Sequence, residues 1–271
     1  MDRQLTLMAV HAHPDDEVLS TGGVLAAAAA EGIRTVLVTC TNGEQGDAPG
    51  GIKPGEPGHD EAQVRELRLE ELKESVGLLG ISDVELLGYS DSGMDGWEAN
   101  GRPTAFANIP LDQAADRLAA LMERYRPDVV VTYDENGAYG HPDHIKAHLI
   151  TVAAIEKSGI PAKFYHTAIS RNRIAELFDY LKQTGADVGD FEPPDDFGTP
   201  EEQITTVVDV SAHVERKRKA LEAHASQGEN IFFLRLPDEG VQKVFGTEAF
   251  VRQFSKVPTP EHEDDLFAGL R

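Results

Sequence analysis

Two short runs hold most of the side chains able to do chemistry together. The first is His11-Ala12-His13-Pro14-Asp15-Asp16-Glu17, which crowds two imidazoles and three carboxyl groups. The second is His141-Pro142-Asp143-His144. Carboxylates this close repel one another, and a divalent cation relieves the repulsion. Imidazole nitrogen and carboxylate oxygen are zinc ligands, and a proline stiffens each run. His13, Asp16 and His144 together would make a His₂-carboxylate set with a position left for water, as in catalytic rather than structural zinc sites. The alternative for the first run is a plain acidic helix start, where Asp and Glu favour the helix dipole. A second run of the same kind argues for the metal.

For two such runs to meet, the chain must carry them to one place. Leu5 to Val10 is short and apolar, the pattern of a strand buried in a parallel sheet, and Gly22 to Ala30 reads as a buried helix. Asp128 to Tyr133 is a second such strand, and a helix with Ala147, Ile150 and Ala154 runs on towards Lys157. Both runs thus follow a buried strand and open a helix, the place where open α/β sheets bind ligands. Strands are also expected over 35–40, 84–87, 163–167 and 205–210. Helices are expected over 61–79, 111–125, 171–181 and 214–224. The alternation predicts an α/β fold: a Rossmann-like, mostly parallel sheet flanked by helices, one domain over 1–271, with the metal site at the C-terminal strand ends. Asn42-Gly43 is a turn signal that puts Glu44 at the same edge. Residues 47–60, rich in Gly and Pro, and 186–202, acidic with prolines, read as loops; 47–60 is either a lid or plain loop.

Composition excludes some partners. Acidic residues number 47 against 25 basic ones, a formal charge of -22 that opposes nucleic acid and anionic membranes. The one cysteine, Cys40, cannot form an internal disulfide and reads as a buried thiol. With neither an apolar leader nor a membrane-length run, the cytoplasm is the expected location. Assembly with further copies of the chain stays open.

Ala12-His13-Pro14-Asp15-Asp16-Glu17 and Tyr139-Gly140-His141-Pro142-Asp143-His144 resemble the two signatures of the LmbE-like/PIG-L deacetylases. Arg68 with Glu71-Leu72, Asp91-Ser92-Gly93-Met94, Ala223 to Gln227 and Phe245 to Glu248 resemble further elements of that family, in its order. The resemblance implies a metal-dependent hydrolase, with Zn²⁺ or Fe²⁺, that removes acetyl from an N-acetylglucosamine unit of a small molecule. Within the family it leans to the mycothiol-pathway branch, which deacetylates N-acetylglucosaminyl-inositol and includes a sibling amidase for mycothiol S-conjugates. The amidases tend to carry a lysine where this chain has Ser20 and Thr21, which favours the deacetylase. Asp134 to Gly137 occurs in amidases too, so both substrates stay in view. A metal- or sugar-binding module without catalysis would dispense with Asp15 or His141; both are present.

The implied reaction is hydrolysis of an unreactive amide. Asp15, beside the ligand Asp16, is the candidate general base, with hydrogen bonding to a ligand histidine as its other role. A protonated His141, held by Asp143, would serve the departing amine or the oxyanion. By the resemblance, Tyr139 adds a hydrogen bond to the oxyanion, and Glu44, Arg68 and Asp91 meet sugar hydroxyls. For Arg68 the alternative is a surface ion pair with Glu71 or Glu74. Met94 lines an apolar wall or belongs to the core. His11 reads as a buried, hydrogen-bonded neighbour, and His224 is left unassigned.

Overall fold

The computed structural model describes residues 4–184, 197–227 and 232–271. Its centre is a seven-stranded sheet in the order β3-β2-β1-β4-β5-β7-β6. The strands are β1 (Thr6–His11), β2 (Arg34–Thr41), β3 (Asp83–Tyr89), β4 (Val129–Thr132), β5 (Lys163–Ala168), β6 (Thr206–Asp209) and β7 (Thr247–Ser255). The first five pair in parallel, and β7 runs antiparallel between β5 and β6.

Strand β1 explains the two layers. Its side chains alternate, so Leu7 and Ala9 join one core while Met8 and Val10 join the other. The first core is closed by α1 (Asp16–Ala30), α2 (Glu61–Leu79), α6 (Arg171–Thr184), α7 (Val214–Ala223) and α8 (Asp238–Phe245). The second is closed by α3 (Leu111–Tyr125) and α5 (Pro142–Ser158). Between β4 and α5 lies α4 (Gly137–Gly140), a single irregular turn in which Ala138 has φ 64°. β2 and β4 flank β1 on opposite sides, so the strand order reverses there and the chain leaves β1 and β4 towards a shared crevice.

The α/β architecture and the mostly parallel sheet agree with the sequence. Two elements near the C-terminus do not: the sequence reading places no helix after His224 and no strand after Val210, yet α8 and β7 lie there. β7 is half-buried and carries Glu248, Arg252 and Gln253, so it lacks the apolar run that marks the inner strands. Residues 186–196 of the acidic loop lie outside the described residues. The 47–60 segment is tied at its base: Asp47 N–H donates to Gln227 Oε1, and Lys53 Nζ reaches Asp47 Oδ2 at 2.7 Å. Cys40 is buried in β2, and no helix among the described residues is long and apolar enough to cross a membrane.

Helix α1 carries Asp16 and is anchored from the far end of the chain. Glu248 accepts from Gly23 N–H and Val24 N–H, each at 2.8 Å, while Lys217 bonds both Glu248 and Leu19 O. Gly23 is required because a Cβ there would stand 2.5 Å from Val210. Gly23→Ala should therefore overpack this contact and lower unfolding stability by about 2 kcal/mol, read from the urea midpoint; an unchanged midpoint would show that Val210 can withdraw freely.

Candidate metal centre

His13 follows β1 and His144 opens α5, so neighbouring strands deliver them to one crevice. His13 Nδ1 lies 3.2 Å from Asp16 Oδ2 and 3.3 Å from His144 Nε2, and His144 Nε2 lies 3.4 Å from Asp16 Oδ1. Tetrahedral zinc with bonds of about 2.0–2.1 Å separates its ligands by about 3.3 Å. Each contact, with one Asp16 oxygen facing each histidine, is therefore close to the separation of two ligands on one ion. His141 also offers a donor within 4.8 Å of His13 and His144.

The surroundings prepare His13 to be a ligand. Its Nε2–H donates to Asp143 Oδ2 at 3.3 Å, with Asp91 Oδ1 at 3.5 Å, which leaves Nδ1 facing Asp16 and His144. A carboxylate behind a ligand imidazole fixes its tautomer and raises its basicity. Burial pushes the His13 imidazole down, but Asp91, Asp143 and Asp16 outweigh it and hold it well above its ordinary value. Burial likewise opposes charge on Asp16, yet His144 and His13 keep its carboxyl well below the usual range. The cluster thus attracts positive charge, and this donor set fits a divalent metal. His144 has its ring stacked on Tyr133 at 4.1 Å, with Nδ1 unpartnered among the described residues.

Asp143 departs from the sequence expectation. It does not hold His141, because His141 caps α5: its Nδ1 accepts from Asp143 N–H at 3.1 Å. The Asp143 carboxylate turns instead to His13 and to Ser92, whose N–H and Oγ both donate to it. His141 is also not the cation that the sequence suggested, since burial, with His13 and His144 beside it, pushes its imidazole down to about 3. With Nδ1 accepting, it is the neutral tautomer that carries its proton on Nε2.

Asp15 sits at φ 116°, a left-handed backbone that a non-glycine residue seldom adopts. Its amide N–H donates to Glu17 Oε2, and its Oδ2 accepts from Arg68 Nη2 at 3.0 Å. Burial pushes its carboxyl up, and Arg68 pulls the other way. Arg68 is buried and also donates to Pro14 O and Gly43 O. It does not form the expected surface pair with Glu71 or Glu74; its Nη1 and Nη2 are spent on the Asp15 and Gly43 loops, while its Nε has no partner among the described residues.

Among the other expected sugar contacts, Asp91 is held by Gln45 N–H and Gly93 N–H, and Glu44 is buried with Oε2 unpartnered among the described residues. Met94 is half-buried. Tyr139 is 53% exposed, its ring 4.9 Å from that of His144. A cavity of about 590 Å³ opens from Asp16, His144 and Tyr139 onto Leu177, Phe178 and Phe245. His11 is a buried neighbour, as expected, bonded to Thr21 and Tyr133. His224 donates to Glu17 Oε1 at 2.9 Å, behind the Asp15 loop. Tyr133, Ser92 and Glu17 support the site without having been singled out for it. Ser92 and Glu17 lay inside motifs already noted; Tyr133 gave no signal beyond its place at the end of a strand.

The family model described as "PIG-L: GlcNAc-PI de-N-acetylase" matches residues 8–155, the stretch that holds both clusters. The chain belongs to the PIG-L family. One PIG-L relative, the 1D-myo-inositol 2-acetamido-2-deoxy-α-D-glucopyranoside deacetylase of Acidothermus cellulolyticus, is 42% identical over 98% of this chain and 95% of its own. A deacetylase of the same name from Thermobifida fusca is 42% identical over 83% of this chain and 84% of its own. In fold the chain resembles the N,N'-diacetylchitobiose deacetylase of Pyrococcus horikoshii, with a TM-score of 0.58 at 18% identity over 92% of this chain and 83% of that one. It equally resembles the hydratase GalB of Pseudomonas putida, with a TM-score of 0.62 at 20% identity over 95% and 99%. The fold therefore does not by itself fix the reaction.

Asp143→Ala should weaken zinc affinity about 10- to 100-fold by releasing His13, as measured by competition with a chromogenic chelator; unchanged affinity would show that His13 needs no support from behind.

Proposed function

We propose that the chain is a metal-dependent N-deacetylase acting on an N-acetylglucosamine-containing small molecule of the N-acetylglucosaminyl-inositol type. The supporting observation is the set of 3.2–3.4 Å contacts that join His13, His144 and the two Asp16 carboxylate oxygens, in a chain 42% identical to a relative named for that deacetylation. These three residues would hold the ion, and zinc suits them, with ferrous iron drawing on the same donors. When bound, the metal supplies Lewis-acid polarisation of the amide carbonyl and makes a water more acidic.

The remaining work falls to the chain's own side chains. Asp15, held by Arg68, takes the proton from the attacking water and returns it to the departing amine nitrogen. His141 donates from Nε2–H to the carbonyl oxygen as negative charge builds there, and a neutral imidazole suffices for this. Tyr139, at the mouth, adds a second donor. Asp143 acts through His13 by fixing its ring. Glu44 and Asp91 border the sugar. A small, neutral substrate and a lone buried thiol suit the cytoplasm.

A second reading has one observation in its favour. The cavity that opens from Asp16 and His144 ends on Leu177, Phe178 and Phe245, which suits a substrate with an apolar group, such as a thioether conjugate of the same pseudodisaccharide cleaved as an amide. Turnover of the conjugate exceeding that of the acetylated sugar would favour it.

Free-amine release from N-acetylglucosaminyl-inositol should stop on treatment with a chelator and return with zinc; release that survives metal removal would overturn the metal-dependent reading. Asp15→Asn should lower kcat about 10²- to 10⁴-fold while zinc content, measured by atomic absorption, stays at the wild-type level. Near-normal turnover in that variant would remove Asp15 as the base.

A further inference from the structure

Asp15 stands on a backbone that it would not adopt unaided. At φ 116° it lies where residues with a Cβ are seldom found, and such a conformation persists only where neighbours over-determine it. Arg68 Nη2 grips the side chain at Oδ2 and the preceding carbonyl of Pro14. The amide N–H of Asp15 donates to Glu17 Oε2 at 2.9 Å.

Glu17 is fully buried, so its carboxylate is turned to the protein interior. Its Oε1 accepts from Ser75 Oγ–H at 2.6 Å and from His224 Nε2–H at 2.9 Å. A carboxylate only accepts, so the His224 nitrogen facing it carries a proton. His224 is also fully buried and lies 207 positions further along the chain. Glu71 fixes the turn that follows, accepting from Ser226 N–H and Oγ–H, each at 2.7 Å. Arg68, Glu71 and Ser75 stand at i, i+3 and i+7 on one face of α2. That single face holds the Asp15 carboxylate, the Glu17 carboxylate and the turn after His224.

The neighbouring metal donor is tied by other means. Asp16 Oδ2 accepts from His13 N–H at 2.8 Å, and α1 is anchored through Gly23 and Val24 to Glu248. Loosening Glu17 would therefore leave Asp16 in place and free the backbone one residue before it. A relaxed Asp15 would carry its carboxylate out of line with the attacking water, and a displacement of ~1 Å costs such a group about 10²-fold in rate.

We infer that Glu17, clamped by His224 and Ser75, is a positioning residue for the reaction, acting through the Asp15 amide to keep the base aimed. The inference rests on the reading of Asp15 as the base and adds groups that reach the chemistry only through it.

The test uses zinc-loaded protein and N-acetylglucosaminyl-inositol, with two variants that differ in reach. A Gln side chain extends as far as His Nε2, whereas Asn stops at the distance of Nδ1. His224→Asn should lower kcat about 10- to 100-fold, with KM within about twofold and zinc content, by atomic absorption, unchanged. His224→Gln should keep kcat within about threefold of the wild type. Equal kcat in the two variants, or a loss in His224→Asn confined to KM or zinc content, would overturn the positioning role. A general loosening of the fold slows turnover whatever the base, so His224→Asn is also made in the Asp15→Asn background. There it should change the residual rate by less than about twofold, and an undiminished loss would overturn the proposal. Ser75→Ala strips the same Glu17 oxygen of its other donor and should lower kcat about threefold. If His224→Asn does not fold, an unaltered kcat in Ser75→Ala overturns the proposal on its own. Near-normal turnover by Asp15→Asn alone would instead remove Asp15 as the base, and the positioning role with it.

Discussion

The convergence of Asp16, Asp91 and Asp143 on one buried imidazole, His13, is the constraint that the rest of the site answers. On its Nε2 side the ring's own N–H meets Asp143, with Asp91 close by. On its Nδ1 side it meets Asp16, and there only a proton or a metal ion balances the charge. A proton on Nδ1 and a metal on Nδ1 exclude each other, so a metal bound there would displace that proton. The loops reflect the same demand. Gly93 and Gln45 amides hold Asp91, Ser92 holds Asp143, and His13's own amide holds Asp16 at 2.8 Å. Three loops, following β1, β2 and β3, are thus fixed by the carboxylates they carry or serve.

Asp15 shows how far the chain goes to keep one carboxylate in place. A residue held in a sparsely populated backbone region costs about 1–3 kcal/mol and persists only where its neighbours over-determine it. Here Arg68 grips its side chain and the preceding carbonyl, while Glu17 grips its amide. Glu17 is itself buried and held by Ser75 from α2 and His224 from beyond α7. Arg68 needs room to reach, and glycine supplies it: a Cβ on Gly43 or Gly46 would stand 2.7 or 2.6 Å from Nη1. The C-terminal part of the chain therefore shapes a loop near its start, and the helix that bears Arg68 acts on the site through Asp15.

This division also explains what could be read from the sequence. The inner strands announce themselves because burial on both faces demands continuous apolar runs, as in Val129 to Val131. The paired His/Asp runs announce their chemistry because few other roles need such side chains after two strands. Partner choice is another matter. Arg68 could face solvent, substrate or Asp15 with the same helical periodicity, and only the fold places Asp15 beside it. Asp143 could serve His141 two residues away or His13 far back in the chain; the cap that His141 makes decides it. β7 escaped because its pattern is alternating and polar, and its partners β5 and β6 lie far back in sequence.

That cap also bears on how protons would be shared in the proposed reaction. Because His141 spends Nδ1 on Asp143 N–H and is held neutral by burial and by its histidine neighbours, it enters the reaction with one proton, on Nε2. Giving that proton up outright would leave a buried anion, so in the proposed reaction it would donate a hydrogen bond and keep the proton. Asp15 differs: it is a carboxylate with Arg68 beside it, buried enough for its proton affinity to rise and charged enough to accept. One group can then collect the proton of the water and deliver it to the nitrogen, while the other steadies charge without changing its own. The split follows from a backbone choice, a histidine placed as the N-cap ahead of Pro142, more than from the intrinsic acidity of either side chain.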